Sequence, residues 1–174
     1  MNCLENFQID LKSLKEGLQT LEYDLDDSFF NAIEGSEVSA GRLHVTVDVE
    51  RVNDSFFALH FHGQGTVMVP CDICLEDMEQ PVSIDERLSA KFGEENSEDD
   101  DLVTVAEDEG ILDVAWFIYE FIRLAIPIRH VHAPGKCDPA MIEKLAQLSA
   151  TRSGEGHDEQ NIDPRWSSLL KLKQ

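Results

Sequence analysis

The residues whose types could do chemistry fall in three places. Cys71 and Cys74 stand two residues apart within VMVPCDICLEDMEQPVSI, with apolar alternation on both sides. His130, His132 and Cys137 follow much later, in IRHVHAPGKC, and His60 and His62 alternate along FFALHFHGQG. Thiolate sulfur and imidazole nitrogen are the donors of structural zinc, which is almost always four-coordinate. The first pair has the shape of a zinc knuckle, and the cluster His130, His132, Cys137 could complete its ligand set. The full pattern is Cys-x2-Cys, 55 residues, then His-x-His-x4-Cys. So long a gap gives the pattern little specificity, and reduced cysteines are also among the most commonly buried residues. Metal ligands and core thiols both remain open at this point. His60 and His62 share one face of a strand, but two histidines alone make a poor metal site, and an exposed polar face explains them as well.

A redox pair is the weakest of the readings. A thioredoxin-like cysteine opens a real helix, whose positive end stabilises the thiolate. Only LEDMEQ separates Cys74 from Pro81, too little for such a helix. For catalysis the chain offers no serine in a G-x-S-x-G turn and no phosphate-cradling glycine loop. Its carboxylates are abundant, yet no pair stands at a spacing that fixes a cleft.

The elements that must position these residues are read from periodicity. FQIDLK (7–12) and LEYDLD (21–26) alternate as strands, and Asp27-Ser28 caps a short helical turn closed by Gly35. RLHVTVDVERV puts Leu43, Val45, Val47 and Val49 on one face. Asn53-Asp54 breaks the run, FFALHFHGQG resumes it as a hairpin, and GTVMVP and PVSIDERLSAKFG add further strands. Residues 94–101, EENSEDDD, hold six acids in eight positions and predict a solvated loop. LVTV (102–105) is a short strand. The 16 residues 111–126, ILDVAWFIYEFIRLAI, carry only Asp113, Glu120 and Arg123 among apolar side chains. They predict a long covered helix ended by Pro127. A second helix follows in DPAMIEKLAQLSA, with Pro139 in its first turn.

The expected fold is therefore α+β: an antiparallel meander of about four strands packed against the 111–126 helix. Residues 1–150 form one domain, 151–161 a flexible linker without an apolar residue, and 162–174 a C-terminal amphipathic segment with Ile162, Trp166, Leu169 and Leu170.

Composition narrows the partners. The 174 residues are 42% hydrophobic, enough for a normal core, and their formal charge is −21. Such a surface repels phosphate backbones and anionic lipid and attracts basic partners. The chain opens without an apolar leader, and its longest apolar stretch is too short and too charged for a membrane span. Four cysteines in a chain of this length, spaced unlike a disulfide scaffold, fit a reducing cytoplasm.

Several motifs together resemble one family. CDICLE, preceded by G-x-V and followed by PVSID and a KFG strand, resembles the C-x-x-C-L-E core of the YceD-like family, the large ribosomal RNA subunit accumulation proteins. Asp113 and the apolar run to Pro127 resemble its aspartate-led helix, and Asp163-Pro164-Arg165 with Leu169 resembles its closing D-P-R-x-x-x-L segment. The likeness spans roughly 7–172 in the same order. Where many members have arginine between the cysteines this chain has Ile73. Where many carry a C-x-x-C-x-G-L-C segment it has HVHAPGKC, so a family zinc site would here need histidine in place of cysteine.

The resemblance implies a non-catalytic cytoplasmic factor of ribosome assembly. The partner it suggests is a basic large-subunit ribosomal protein or a pre-ribosomal particle, rather than naked RNA. A metal-dependent enzyme built on the Cys/His cluster, or a general protein-interaction module, is the alternative.

Overall fold

The computed structural model describes residues 3–33, 35–99 and 102–148. The linker and amphipathic segment expected at 151–174, including Asp163, Pro164 and Arg165, lie outside the described residues. A 3-10 helix (Cys3–Phe7) leads into β1 (Gln8–Asp10), followed by β2 (Gly17–Leu25), α1 (Asp27–Ala32), β3 (Ala40–Arg51), β4 (Phe56–Pro70) and β5 (Asp77–Gly93). Then come β6 (Ser97–Asp99), β7 (Leu102–Ala106), β8 (Ile111–Asp113), α2 (Ala115–Ala125) and α3 (Pro139–Leu148).

Six strands make one sheet in the order β2-β3-β4-β5-β7-β6, and β1 pairs with β8 in a separate ribbon. Strict alternation sorts the large sheet into two faces. Val45, Val47 and Val49 of β3, Phe57, Leu59 and Phe61 of β4, and Ile84 and Leu88 of β5 point to the buried side. Opposite them, Thr46, Asp48, His60, His62 and Asp85 face outward, as is usual for antiparallel sheets covered on one side. Helix α2 covers the inner face with Phe117, Ile118, Tyr119 and Ile122. Its Phe121 ring stands edge-on to Phe61, with centroids 5.1 Å apart. No helix among the described residues is long and apolar enough to cross a membrane.

The expected α+β architecture with a long apolar helix over 111–126 is not what forms. The protein is mostly β, its large sheet is mixed, and α2 has only 11 residues. Ile111, Leu112 and Asp113 instead pair with Asp10, Ile9 and Gln8. An apolar run of this length satisfies either period, and the free edge of β1 takes its first three residues. Asp113 marks the change of state: its Oδ1 accepts the Ala115 N–H at 2.9 Å. The end falls where Pro127 requires it, with Ile126 already extended at ψ 125°.

Three further expectations shift. GTVMVP is the second half of a single 15-residue strand β4, not a strand of its own. The sheet is not wholly an antiparallel meander, because β5 and β7 pair in parallel. The acidic run 94–101 is solvent-facing where described, yet Ser97–Asp99 adds an edge strand to β7.

Gly65 explains how β4 stays continuous past its midpoint. It lies opposite Leu43, and a Cβ there would come within 2.1 Å of the Arg42 carbonyl oxygen and 2.6 Å of Leu43 Cα. Both obstacles are backbone, so the strands must part to admit a methyl group. Gly65→Ala is expected to cost roughly 1–3 kcal/mol, the usual range for overpacking, as measured by urea unfolding. An unchanged midpoint and slope would show that β3 and β4 can separate freely at this point.

Candidate metal centre

The two ends of the cluster arrive by different routes. The antiparallel pair β4–β5 is joined by residues 71–76, which turn tightly: Cys71 N–H donates to Glu76 O at 2.8 Å and Leu75 N–H to Cys71 O at 2.9 Å. Leu75 adopts φ 63°, a left-handed conformation that costs a branched residue energy and persists because the turn requires it. The other side is the segment after α2, which Pro127 diverts from the helical direction back over this turn.

A two-way latch joins them. Asp72 N–H donates to His130 O at 3.0 Å, and His130 N–H donates to Asp72 Oδ2 at 2.8 Å. The His130 imidazole is turned away from the sulfurs: its Nδ1 donates to Pro127 O at 3.0 Å, and its Nε2 lies 3.6 Å from Asp72 Oδ1. Of the five residues singled out in the sequence, His130 therefore serves as a strut, while Cys71, Cys74, His132 and Cys137 converge. Cys71 Sγ is 3.9 Å from Cys137 Sγ, and Cys74 Sγ is 3.3 Å from His132 Nδ1. The four donor atoms all lie within 4.8 Å of one another. Asp72 was missed by sequence reasoning. Its only signal was its place between the two cysteines, where a short acid can reach the backbone of whatever lies across.

This donor set fits a structural zinc ion. Bonds of about 2.0–2.3 Å to a tetrahedral centre put its ligands about 3.3–3.8 Å apart, close to the separations present. Charge points the same way. Burial resists ionisation of Cys71, but the N–H groups of Cys74, His132 and Ile73 and the His132 side chain outweigh it, lowering the thiol to about 6. Cys137 is pushed up to about 11 by burial, by its hydrogen bonds with Cys71 and Cys74 and by their negative charge. One thiolate forms easily and a second is opposed, an imbalance that a divalent cation removes by taking the place of the protons. Thiol exchange fits poorly, since Cys71 and Cys74 are 0% and 3% exposed and no helix begins at either.

Residues 59–173 match the family model described as "Large ribosomal RNA subunit accumulation protein YceD". The chain belongs to this YceD family. No curated protein and no solved structure gives a significant match. The matched region opens within β4 and takes in the cysteine turn, the strand-to-helix change at Asp113 and the Pro127 stop. Residues 1–58, with β1 to β3, lie outside it. In this YceD chain the segment after α2 brings one histidine, His132, and one cysteine, Cys137, to the pair.

The latch is testable apart from any metal. Asp72→Ala removes the carboxylate that accepts the His130 N–H and is expected to cost about 1–2 kcal/mol in denaturant unfolding, with Asp72→Asn recovering much of it. Equal losses for both variants would mean that the carboxylate charge, rather than the acceptor oxygen, holds the segment.

Proposed function

We propose that this chain is a non-catalytic factor of large-subunit assembly. In this reading its acidic surface holds a basic ribosomal protein, free or on a pre-ribosomal particle, and a zinc ion bound by Cys71, Cys74, His132 and Cys137 staples the fold. The family's description supplies the ribosomal context: accumulation of the large ribosomal RNA subunit. The observation that carries the choice of partner is the distribution of charge. Glu22, Asp24, Asp48 and Asp85 stand on the outer face of the sheet, and Glu98 and Asp99 line its β6 edge.

The cations are dispersed among the described residues, and several are engaged within the fold. Lys12 Nζ donates to Asp108 O at 2.7 Å, Arg123 pairs with Glu37 at 2.7 Å, and Arg51 reaches Asp54 at 3.4 Å. RNA binding usually needs a clustered basic stripe interleaved with aromatics. A surface of net charge −21 favours the positively charged protein components of the subunit over its phosphates. Shielding such a component until it meets its RNA is a role consistent with the family's description.

The metal-enzyme alternative is disfavoured by the ligand count. Catalytic zinc keeps a position open for water, whereas four protein donors converge in this site. The purified chain is expected to hold close to one zinc per molecule. Chelation or Cys71→Ser is then expected to lower the melting temperature by about 10 °C or more, because structural metal binding is folding energy. Metal-free protein that melts unchanged with chelator refutes the staple.

The partner is tested by titrating a basic large-subunit ribosomal protein and naked ribosomal RNA at near-physiological salt. Binding is expected to favour the protein and to weaken steeply as salt rises. Tight RNA binding with no protein binding overturns the assignment.

A further inference from the structure

The outer face of the sheet carries a second cluster of metal-ligating side chains, set back along β4 and β5 from the cysteine turn and on the opposite side of the sheet from α2. Alternation along β4 puts His60 and His62 on the same face, and the register brings Asp85 of β5 directly opposite His62. His60 Nε2 lies 2.6 Å and His62 Nδ1 3.6 Å from the same oxygen, Asp85 Oδ1. The two rings are side by side, with centroids 3.9 Å apart and planes at 53°. One donor atom from each of the three residues lies within 4.8 Å of the other two.

We propose that His60, His62 and Asp85 form a second metal site, for a divalent first-row transition ion such as zinc or nickel. The ligand chemistry selects the class. Two imidazoles and one carboxylate suit these borderline ions, whereas magnesium and calcium take oxygen ligands almost throughout. The carboxylate is already aimed at the rings, with Asp85 Oδ1 in contact with both imidazoles. A cation here would occupy the place of the proton that His60 and Asp85 now share. Bonds of about 2.0–2.2 Å set neighbouring donors about 3.0–3.5 Å apart, within small side-chain rotations of the separations present.

Two features set this site apart from the cysteine centre. It has three protein ligands rather than four, so coordination positions remain for water or for a side chain of another molecule. It is also accessible: His62 and Asp85 side chains are 46% and 75% exposed, and an open depression lined by Thr46, Gln64 and Ser83 adjoins them. The field around it is mixed. Asp48 stands opposite His60 on β3 and favours a cation, while Arg87 stands opposite His60 on β5 and opposes one. The site is therefore exchangeable rather than structural, and its loss leaves the core untouched.

The test uses the full chain, first saturated with zinc at its tightest site and then titrated with nickel in a non-coordinating buffer. A further binding event is expected, with paramagnetic broadening of the His60 and His62 ring signals in the NMR spectrum. His62→Ala and Asp85→Asn, both on solvent-facing positions, are each expected to weaken that event by at least about tenfold while leaving the melting temperature of the metal-free protein unchanged. The ring broadening is read in the unaltered chain, so it holds even if a variant fails to fold, and a parallel nickel titration without prior zinc makes it independent of whether the cysteine centre binds metal. Nickel binding that survives His60→Ala/His62→Ala unchanged, or that excess magnesium abolishes, would reduce the event to general attraction by an acidic surface and overturn the proposal. Undisturbed His60 and His62 signals at saturating nickel would overturn it equally.

Discussion

The register of β4 is the constraint on which the rest of the molecule depends. Fifteen continuous residues pair with β3 on one side and β5 on the other. Because side chains alternate, this pairing decides at once that Phe57, Leu59 and Phe61 enter the core and that His60 and His62 leave it. A slip of one residue would exchange the two sets, and the loss of three large buried side chains makes that slip prohibitive. The same register delivers Pro70 and Asp77 opposite each other, so the cysteine turn closes at a fixed distance from the sheet end.

From that frame the candidate metal centre needs only one more relation, the path of the chain after α2. Helix α2 is held over the sheet by Ile118 and Ile122, both 0% exposed, and by the edge-on contact of Phe121 with Phe61. Pro127 then forces an extended direction at Ile126, and the Asp72–His130 latch fixes where the segment lands. The latch and the helix stop carry His132 and Cys137 to the buried pair, where each makes a contact of its own, with Cys74 and Cys71 respectively. The donors are thus assembled by the fold, which lowers the ordering cost that any bound ion would have to meet.

Much of this was legible in the chain. The alternation of Val45, Val47 and Val49 and of Phe57, Leu59 and Phe61 gave the central strands, Pro127 gave the end of the helix, and Pro139 the start of α3. The ordered motifs gave the family. The failures have physical reasons. Ile111-Leu112-Asp113 reads as helix locally, and only the distant β1 edge makes it strand. The parallel pairing of β5 with β7 is set by tertiary closure and leaves no local trace. FFALHFHGQG and GTVMVP read as two strands, whereas they form one, in which Gly65 lets two backbones approach. At the candidate site, the cysteines and His132 were visible as types, but nothing in a 55-residue gap distinguishes His132 from His130. That choice is made by a hydrogen bond to Pro127 O, which takes the His130 ring out of reach.

The distribution of charge bears on stability as well as on partners. A net charge of −21 repels itself most strongly in the compact state, so the fold must hold against its own surface. The carboxylates are spread along the outer face and the β6 edge, facing water, while the described residues include no buried charged or polar side chain. The core under the sheet packs chiefly through apolar contacts, and the buried group that ionises readily is the Cys71 thiol at the sheet's end. The four Cys/His donors stand where the end of the β4–β5 pair meets the segment after α2. Any cation held there, or on the outer face, offsets part of the negative surplus. Metal binding and the docking of a basic partner would therefore relieve the same electrostatic strain. Each would be expected to stabilise the fold more at low ionic strength, where that strain is greatest.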